Sequence, residues 1–239
     1  MNEQTQKDAL QYLVGLGEDK ITRFTAANGF EYTTEDISRI NPPTPNALSA
    51  STLTSLVDYI KGNTDLLGKL IIQVKSPTEV YLMSELKEDK HREDYMSCNA
   101  IVPRIDFGRY IEAEMFNVML QSSFVKNSNV EQLLIVTGRI KDEAVKETGD
   151  DGISQSVTVK TGVASLGAVI IPNPVVLAPY RTFPEVTQPE SKFIFRMKSG
   201  PTAAIIEADG GAWRNEAMDS IKTFLKAELV DIKELTIIS

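Results

Sequence analysis

Apolar and polar positions along this chain follow two rhythms, and the switches between them mark its elements. The clearest helical rhythm is Leu53, Leu56, Val57 and Ile60, spaced i, i+3, i+4, i+7. Ser49 or Ser51 stands ready to cap its start, and Gly62-Asn63 ends it. A second helix is predicted over residues 107–124, with Asp106 as cap and Phe107, Tyr110, Ile111, Met115, Val118 and Met119 as its apolar face. A third covers residues 212–229, with Trp213, Ala217, Ile221, Phe224 and Leu225 on one stripe. Residues 4–14 read as a short helix ended by Gly15 and Gly17.

Strand-like text fills the rest. Residues 20–25 and 30–33 flank Asn28-Gly29, a hairpin signal. Strands are predicted at 70–75 and 79–82, joined at Ser76-Pro77-Thr78, and at 95–102. Residues 130–141 and 154–163 read as strands around an acidic turn at 147–152. Further strands follow at 192–198, 203–207 and 232–238, while Pro172-Asn173-Pro174 marks a bend between two short strands.

Strands do not alternate regularly with helices, which argues against a doubly wound parallel sheet. The expectation is an α+β fold of mostly antiparallel sheet with about four helices. Residues 1–239 read as a single α+β domain. The prolines within 41–46 offer a seam between an N-terminal helix-hairpin and the main body.

Composition narrows the function classes. At 42% apolar and 24% charged, the chain has an ordinary globular balance. Its net charge of −8 repels phosphate backbones at long range. Cys98 is the only cysteine, which excludes an internal disulfide and cysteine-rich zinc sites. Acids and amides occupy the N-terminus where a signal peptide needs positive charge, and the longest apolar run, 164–177, is broken by Pro172 and Pro174. The expected location is therefore the cytoplasm, with no membrane partner.

Few residues offer chemistry. His91, the only histidine, sits in a run at 85–94 that holds eight charged residues, and this reads as a solvated hairpin tip. A magnesium site of Glu88, Asp89, Glu93 and Asp94 is the sharper alternative there. Cys98 lies in a predicted strand, where a buried small residue is the common role. Gly210-Gly211 precedes a helix but lacks the lysine and spacing of a phosphate loop. Among the acid pairs Glu112/Glu114, Asp150/Asp151 and Glu207/Asp209, only the last shares a strand face, as a glycosidase or nuclease needs. No catalytic, cofactor or metal site is expected.

Two stretches invite a binding role. Lys192, Arg196 and Lys198 alternate with Phe193 and Phe195, giving one cationic and one aromatic face, an interaction strand for nucleic acid or a core strand with cations outside. Val169, Ile170, Ile171, Val175, Val176 and Leu177 form a nearly uncharged segment suited to self-association.

The progression VTVKTGVASLGAVIIPNPVVLAPYRTFPEVTQPESKFIFRMKSGPTAAIIE, over residues 157–207, resembles the C-terminal half of the YfdQ-like family of phage and prophage proteins. EVYLMSELKEDKHREDYMSCNAIVP and FGRYIEAEMFNVML are similar to its middle region, so the resemblance covers residues 45–230. It implies a phage or prophage source and expression in the cytoplasm of a bacterial host, and brings no activity with it. The leading expectation is a non-enzymatic protein that self-assembles into a homo-oligomer. The alternative is a binding module acting on nucleic acid or a host protein during phage replication, recombination or counter-defence.

Overall fold

The computed structural model describes residues 7–8, 10–12, 15, 23–25, 27, 31–33, 46–62, 65–66, 68–87, 90–138, 145–150, 155–161, 164–165, 169–171, 173–198, 200 and 202–239. The chain divides into two compact units, Met1–Thr44 and Pro45–Ser239. In the first, residues 7–8, 10–12 and 15 are helical. Strands β1 (Arg23–Thr25) and β2 (Glu31–Thr33) pair antiparallel, with Phe24 opposite Tyr32. Asn28 and Gly29 lie outside the described residues.

The second unit is α+β, as its patterning implies, with mostly antiparallel sheets and four helices of ten or more residues among those described. One sheet has five strands in the order β15-β4-β5-β6-β3. These are β3 (Leu48–Ala50), β4 (Leu70–Ser76), β5 (Glu79–Ser84), β6 (Asp94–Asn99) and β15 (Leu235–Ile238). The β4–β5–β6 meander is antiparallel, whereas β15 joins β4 and β3 joins β6 in parallel. Alternation sends Leu70, Ile72, Val74, Val80 and Leu82 to one face. There they meet helix α1 (Leu53–Gly62), through Leu53, Leu56, Val57 and Ile60, and helix α4 (Trp213–Glu228), through Ile221 and Leu225.

A second sheet runs β12-β13-β14-β7. It comprises β7 (Ile111–Glu112), β12 (Val175–Leu177), β13 (Ser191–Lys198) and β14 (Thr202–Glu207). Its buried face, Val175, Leu177, Phe193, Phe195, Met197 and Ile205, packs on helices α2 (Ala113–Ser123) and α3 (Ser128–Gly138). The Phe116 and Phe195 rings lie 5.8 Å apart, within stacking range. Between the helices and β12 in sequence, the backbone forms β8 (Val145–Asp150), β9 (Gln155–Thr161), β10 (Ala164–Ser165) and β11 (Val169–Ile171), with β9 pairing with the other three.

Several expectations change. The helix predicted over 107–124 starts only at Ala113, because Gly108 adopts φ 79° and Ile111–Glu112 pairs with Thr202 and Ala203. Its buried stripe is Ala113, Phe116, Leu120 and Ser123, which leaves Met115 and Val118 outside. Residues 130–138 are helical rather than extended: Asn127 Oδ1 takes the Val130 N–H at 2.9 Å, and Val130, Leu133, Val136 and Thr137 are buried at helical spacing. The α1 cap is Thr52, whose Oγ1 accepts the Ser55 N–H, while Ser49 belongs to β3. The acids at 147–150 lie in β8, not in a turn.

Candidate functional site

Neighbouring strands β12 and β13 are joined by residues 178–190, which form no helix or strand yet are largely buried. Buried irregular backbone must find its hydrogen bonds outside a ladder. Gln188 supplies them here. Its Oε1 accepts the N–H groups of Arg181 and Thr182, and its Nε2 donates to the Phe183 carbonyl at 3.1 Å. The strap is pinned at two further points. Thr182 Oγ1 donates to the Pro77 carbonyl between β4 and β5, and Phe183 fills the core of the five-stranded sheet. Glu185 Oε1 accepts both the N–H and the hydroxyl of Thr54, so its negative charge sits on the first turn of α1.

The strap also carries a buried cation. Arg181 is 7% exposed; Nη1 reaches Glu207 at 3.3 Å, and Nη2 donates to the Pro189 carbonyl at 3.0 Å and to Ser191 Oγ. Its guanidinium carbon lies 3.9 Å from the centre of the Trp213 ring, the geometry of a cation–π contact. Burial pulls Arg181 down to about 10, and Glu207 and Asp209 oppose that shift, so the group stays charged at neutral pH. Ser191 Oγ donates onward to Asp209 Oδ2 at 2.7 Å. Asp209 Oδ1 takes the Gly211 N–H at 3.0 Å, where Gly210 and Gly211, both at positive φ, turn the chain into α4. Burial pushes the Asp209 carboxyl up, but bonds from Ser191, Gly211 and Trp213 and the Arg181 charge outweigh it and hold the carboxyl below its usual range.

Three shallow concavities of about 690, 480 and 610 Å³ surround this network, and Glu216 lines all of them. The largest also holds Glu185 and Asp219, and the third holds Glu190 beside Tyr180. Three buried side-chain polar atoms lack a hydrogen-bond partner among the described residues: Arg181 Nε, Glu185 Oε2 and Trp213 Nε1. All belong to the strap or to the start of α4.

The residues singled out by sequence fall as follows. Glu207 and Asp209 do converge, on Arg181 and Ser191, and serve as counter-ion and turn acceptor. The anion position at Gly210-Gly211 is filled by the chain's own Asp209. Cys98 is 1% exposed, and burial, then the Glu185 charge, push its thiol up to about 11. His91 stands exposed in the β5–β6 connection. Glu93 pairs with Lys87, whereas Glu88 and Asp89 lie outside the described residues. Among the described residues no group of three or more His, Cys, Asp or Glu is placed to hold a metal ion.

Lys192, Arg196 and Lys198 share the outer face of β13, opposite Phe193 and Phe195. Arg196 donates to its neighbour's carbonyl, and Lys198 lies 3.9 Å from the Tyr110 ring centre. The proposed self-association segment divides. Val175 and Leu177 are buried in the core and cannot meet a second copy, Val176 is half-buried, and the side chains of Val169, Ile170 and Ile171 lie outside the described residues.

Sequence reasoning missed Arg181, Gln188, Ser191 and Trp213 as a cluster. One signal was present: Arg181 is the first charge after an uncharged run over 161–180, and a charge there needs a buried partner. No helix in the described residues is long and apolar enough to cross a membrane. Compared with family models, curated proteins and solved structures, the chain finds no match in any of the three.

Proposed function

We propose that this chain acts by self-association into a homo-oligomer rather than by catalysis. The observation that carries this reading is where its large apolar side chains go. Met115 (58% exposed) and Val118 (52%) stand one turn apart outside α2, Ile135 (48%) stands outside α3, Val230 (76%) follows α4, and Ile238 (46%) ends β15. Large apolar side chains left exposed outside a well-filled core are the material of an association surface. The acids that sequence offered as a catalytic pair instead hold Arg181 and the turn into α4. The resemblance to YfdQ-like proteins adds a phage or prophage source, and a bacterial host's cytoplasm, to the same proposal.

Light scattering tests it. The expected mass is a multiple of 26.4 kDa at micromolar concentration, and a monomer throughout that range ends the proposal. A second reading, a module that binds nucleic acid or a host protein, draws on the row Lys192, Arg196 and Lys198 along one strand face. It predicts binding that weakens steeply with salt and is lost when all three become glutamine.

A further inference from the structure

Sheet edges expose unpaired main-chain groups, and proteins commonly close them with short strands, prolines, charges or covering side chains. Of the four edges in the second unit's two principal sheets, one is capped by side chains and two are cut short. Strand β12 lies between Pro174 and Pro179, and both Asn127 and Asn129 donate to its Val176 carbonyl, at 3.1 and 3.0 Å. Strand β7 has two residues and runs directly into α2, and β3 has three residues.

Strand β15 differs. Its sequence, Leu-Thr-Ile-Ile, holds no charge, proline or glycine, and its register with β4 runs from Leu235 to Ile238 without a bulge. The Leu70 N–H donates to the Glu234 carbonyl at 2.9 Å, and in a strand successive residues turn their main-chain groups to opposite sides. Thr236 therefore faces β4, and the N–H and C=O of Leu235 and Ile237 face away from the sheet. Among the described residues no backbone bond reaches them there. Thr236 and Ile238, on the opposite face from the core, are exposed.

We infer that β15 is the contact between copies: two chains pair this edge antiparallel about a two-fold axis and fuse two five-stranded sheets into one continuous sheet. This rests on the self-association reading above and gives it a site. The occupant is a second copy because the edge is complementary to itself. A two-fold axis normal to the sheet sets residues of the same face opposite one another, and outward groups then meet outward groups. In a chain of net charge −8, this strand brings no like charges together.

The test uses the full chain and two measurements. Light scattering should give twice 26.4 kDa, and hydrogen exchange at the amides of Leu235 and Ile237 should be slow. The double variant Thr236→Lys/Ile238→Lys alters only exposed side chains and sets cations against cations across the axis. Its dimer dissociation constant should rise at least about 100-fold, with fast exchange at both amides and unchanged circular dichroism. A monomeric wild type overturns both this inference and the self-association reading. An oligomer whose mass ignores the double variant, with both amides exchanging fast, overturns edge pairing alone. Amide protection that appears only when another protein is added overturns the choice of a second copy.

Discussion

The two principal sheets of the second unit are built alike and finished differently. Each buries one face against two helices, α1 and α4 for the five-stranded sheet, α2 and α3 for the four-stranded one. The four-stranded sheet closes its β12 edge with its own asparagines, whereas β15 ends the five-stranded sheet with outward main-chain groups and an uncharged strand. Local closure stabilises a sheet at no cost in contacts elsewhere. An edge left open costs little in one chain, because water solvates it, and gives a second chain a template. The difference separates a sheet edge that the chain closes with its own side chains from one that, on the proposal above, a second copy closes.

The largest expected effect lies in the sheet whose β12 edge the chain closes itself. Phe195 is fully buried in the four-stranded sheet against Phe116. Phe195→Ala should cost about 3–5 kcal/mol in urea unfolding, the range for an aromatic lost from a packed core. A cost below about 1 kcal/mol would mean that this sheet is as loosely finished as the β15 edge, and the comparison would fail.

Next comes the strap that joins the two. Arg181→Ala takes the counter-ion from the half-buried Glu207, the donor from the Pro189 carbonyl and the cation from the Trp213 ring, at an expected cost of about 3 kcal/mol. Arg181→Met keeps the stem packing and should lose less if Glu207 can turn to water. Equal losses from both variants would assign the effect to charge alone.

How much of this was legible depends on how local the cause is. The spacing of Leu53, Leu56, Val57 and Ile60 fixes α1 because one helix face carries its whole burial. Alternation over Ser191–Lys198 fixes β13 for the same reason. Residues 130–138 misled because Val130, Ile135, Val136 and Thr137 favour strands, while the deciding features are the Asn127 cap and tertiary burial of Val130, Leu133 and Val136. The Arg181 cluster draws on strap, β13, β14 and α4, so only its isolated charge showed in the sequence. The β15 edge was visible as a strand, but its position at the end of a sheet depends on strand order, which patterning does not encode.

The β12 edge offers a smaller and more direct test of closure. Asn129→Ala removes one of the two donors to the Val176 carbonyl and should cost about 1 kcal/mol. Asn127→Ala should cost about 1–2 kcal/mol, because Asn127 also accepts the Val130 N–H at the start of α3. If the double variant gains a new association that wild type lacks, asparagine closure is what keeps this edge single. If it only loses stability, the bonds matter to the fold and not to edge protection.

The smallest effect concerns acid, and it asks whether the join between the sheets titrates. Asp209 accepts from Ser191, the first residue of β13 in the four-stranded sheet, and from the turn into α4, which covers the five-stranded one. Its folded pKa is depressed because the hydrogen bonds and Arg181 outweigh burial. A depressed carboxyl contributes stability that is full above its unfolded value, about 3.9, and is lost as pH falls through the folded value. Wild type should therefore lose stability below about pH 4, and Asp209→Asn should flatten that part of the curve. At pH 7 the variant should cost about 1 kcal/mol, since an amide oxygen still accepts from the Gly211 N–H while the charge toward Arg181 is gone. Identical acid slopes in the two proteins would show that the join does not depend on the Asp209 charge, and that Glu207 alone balances the buried arginine.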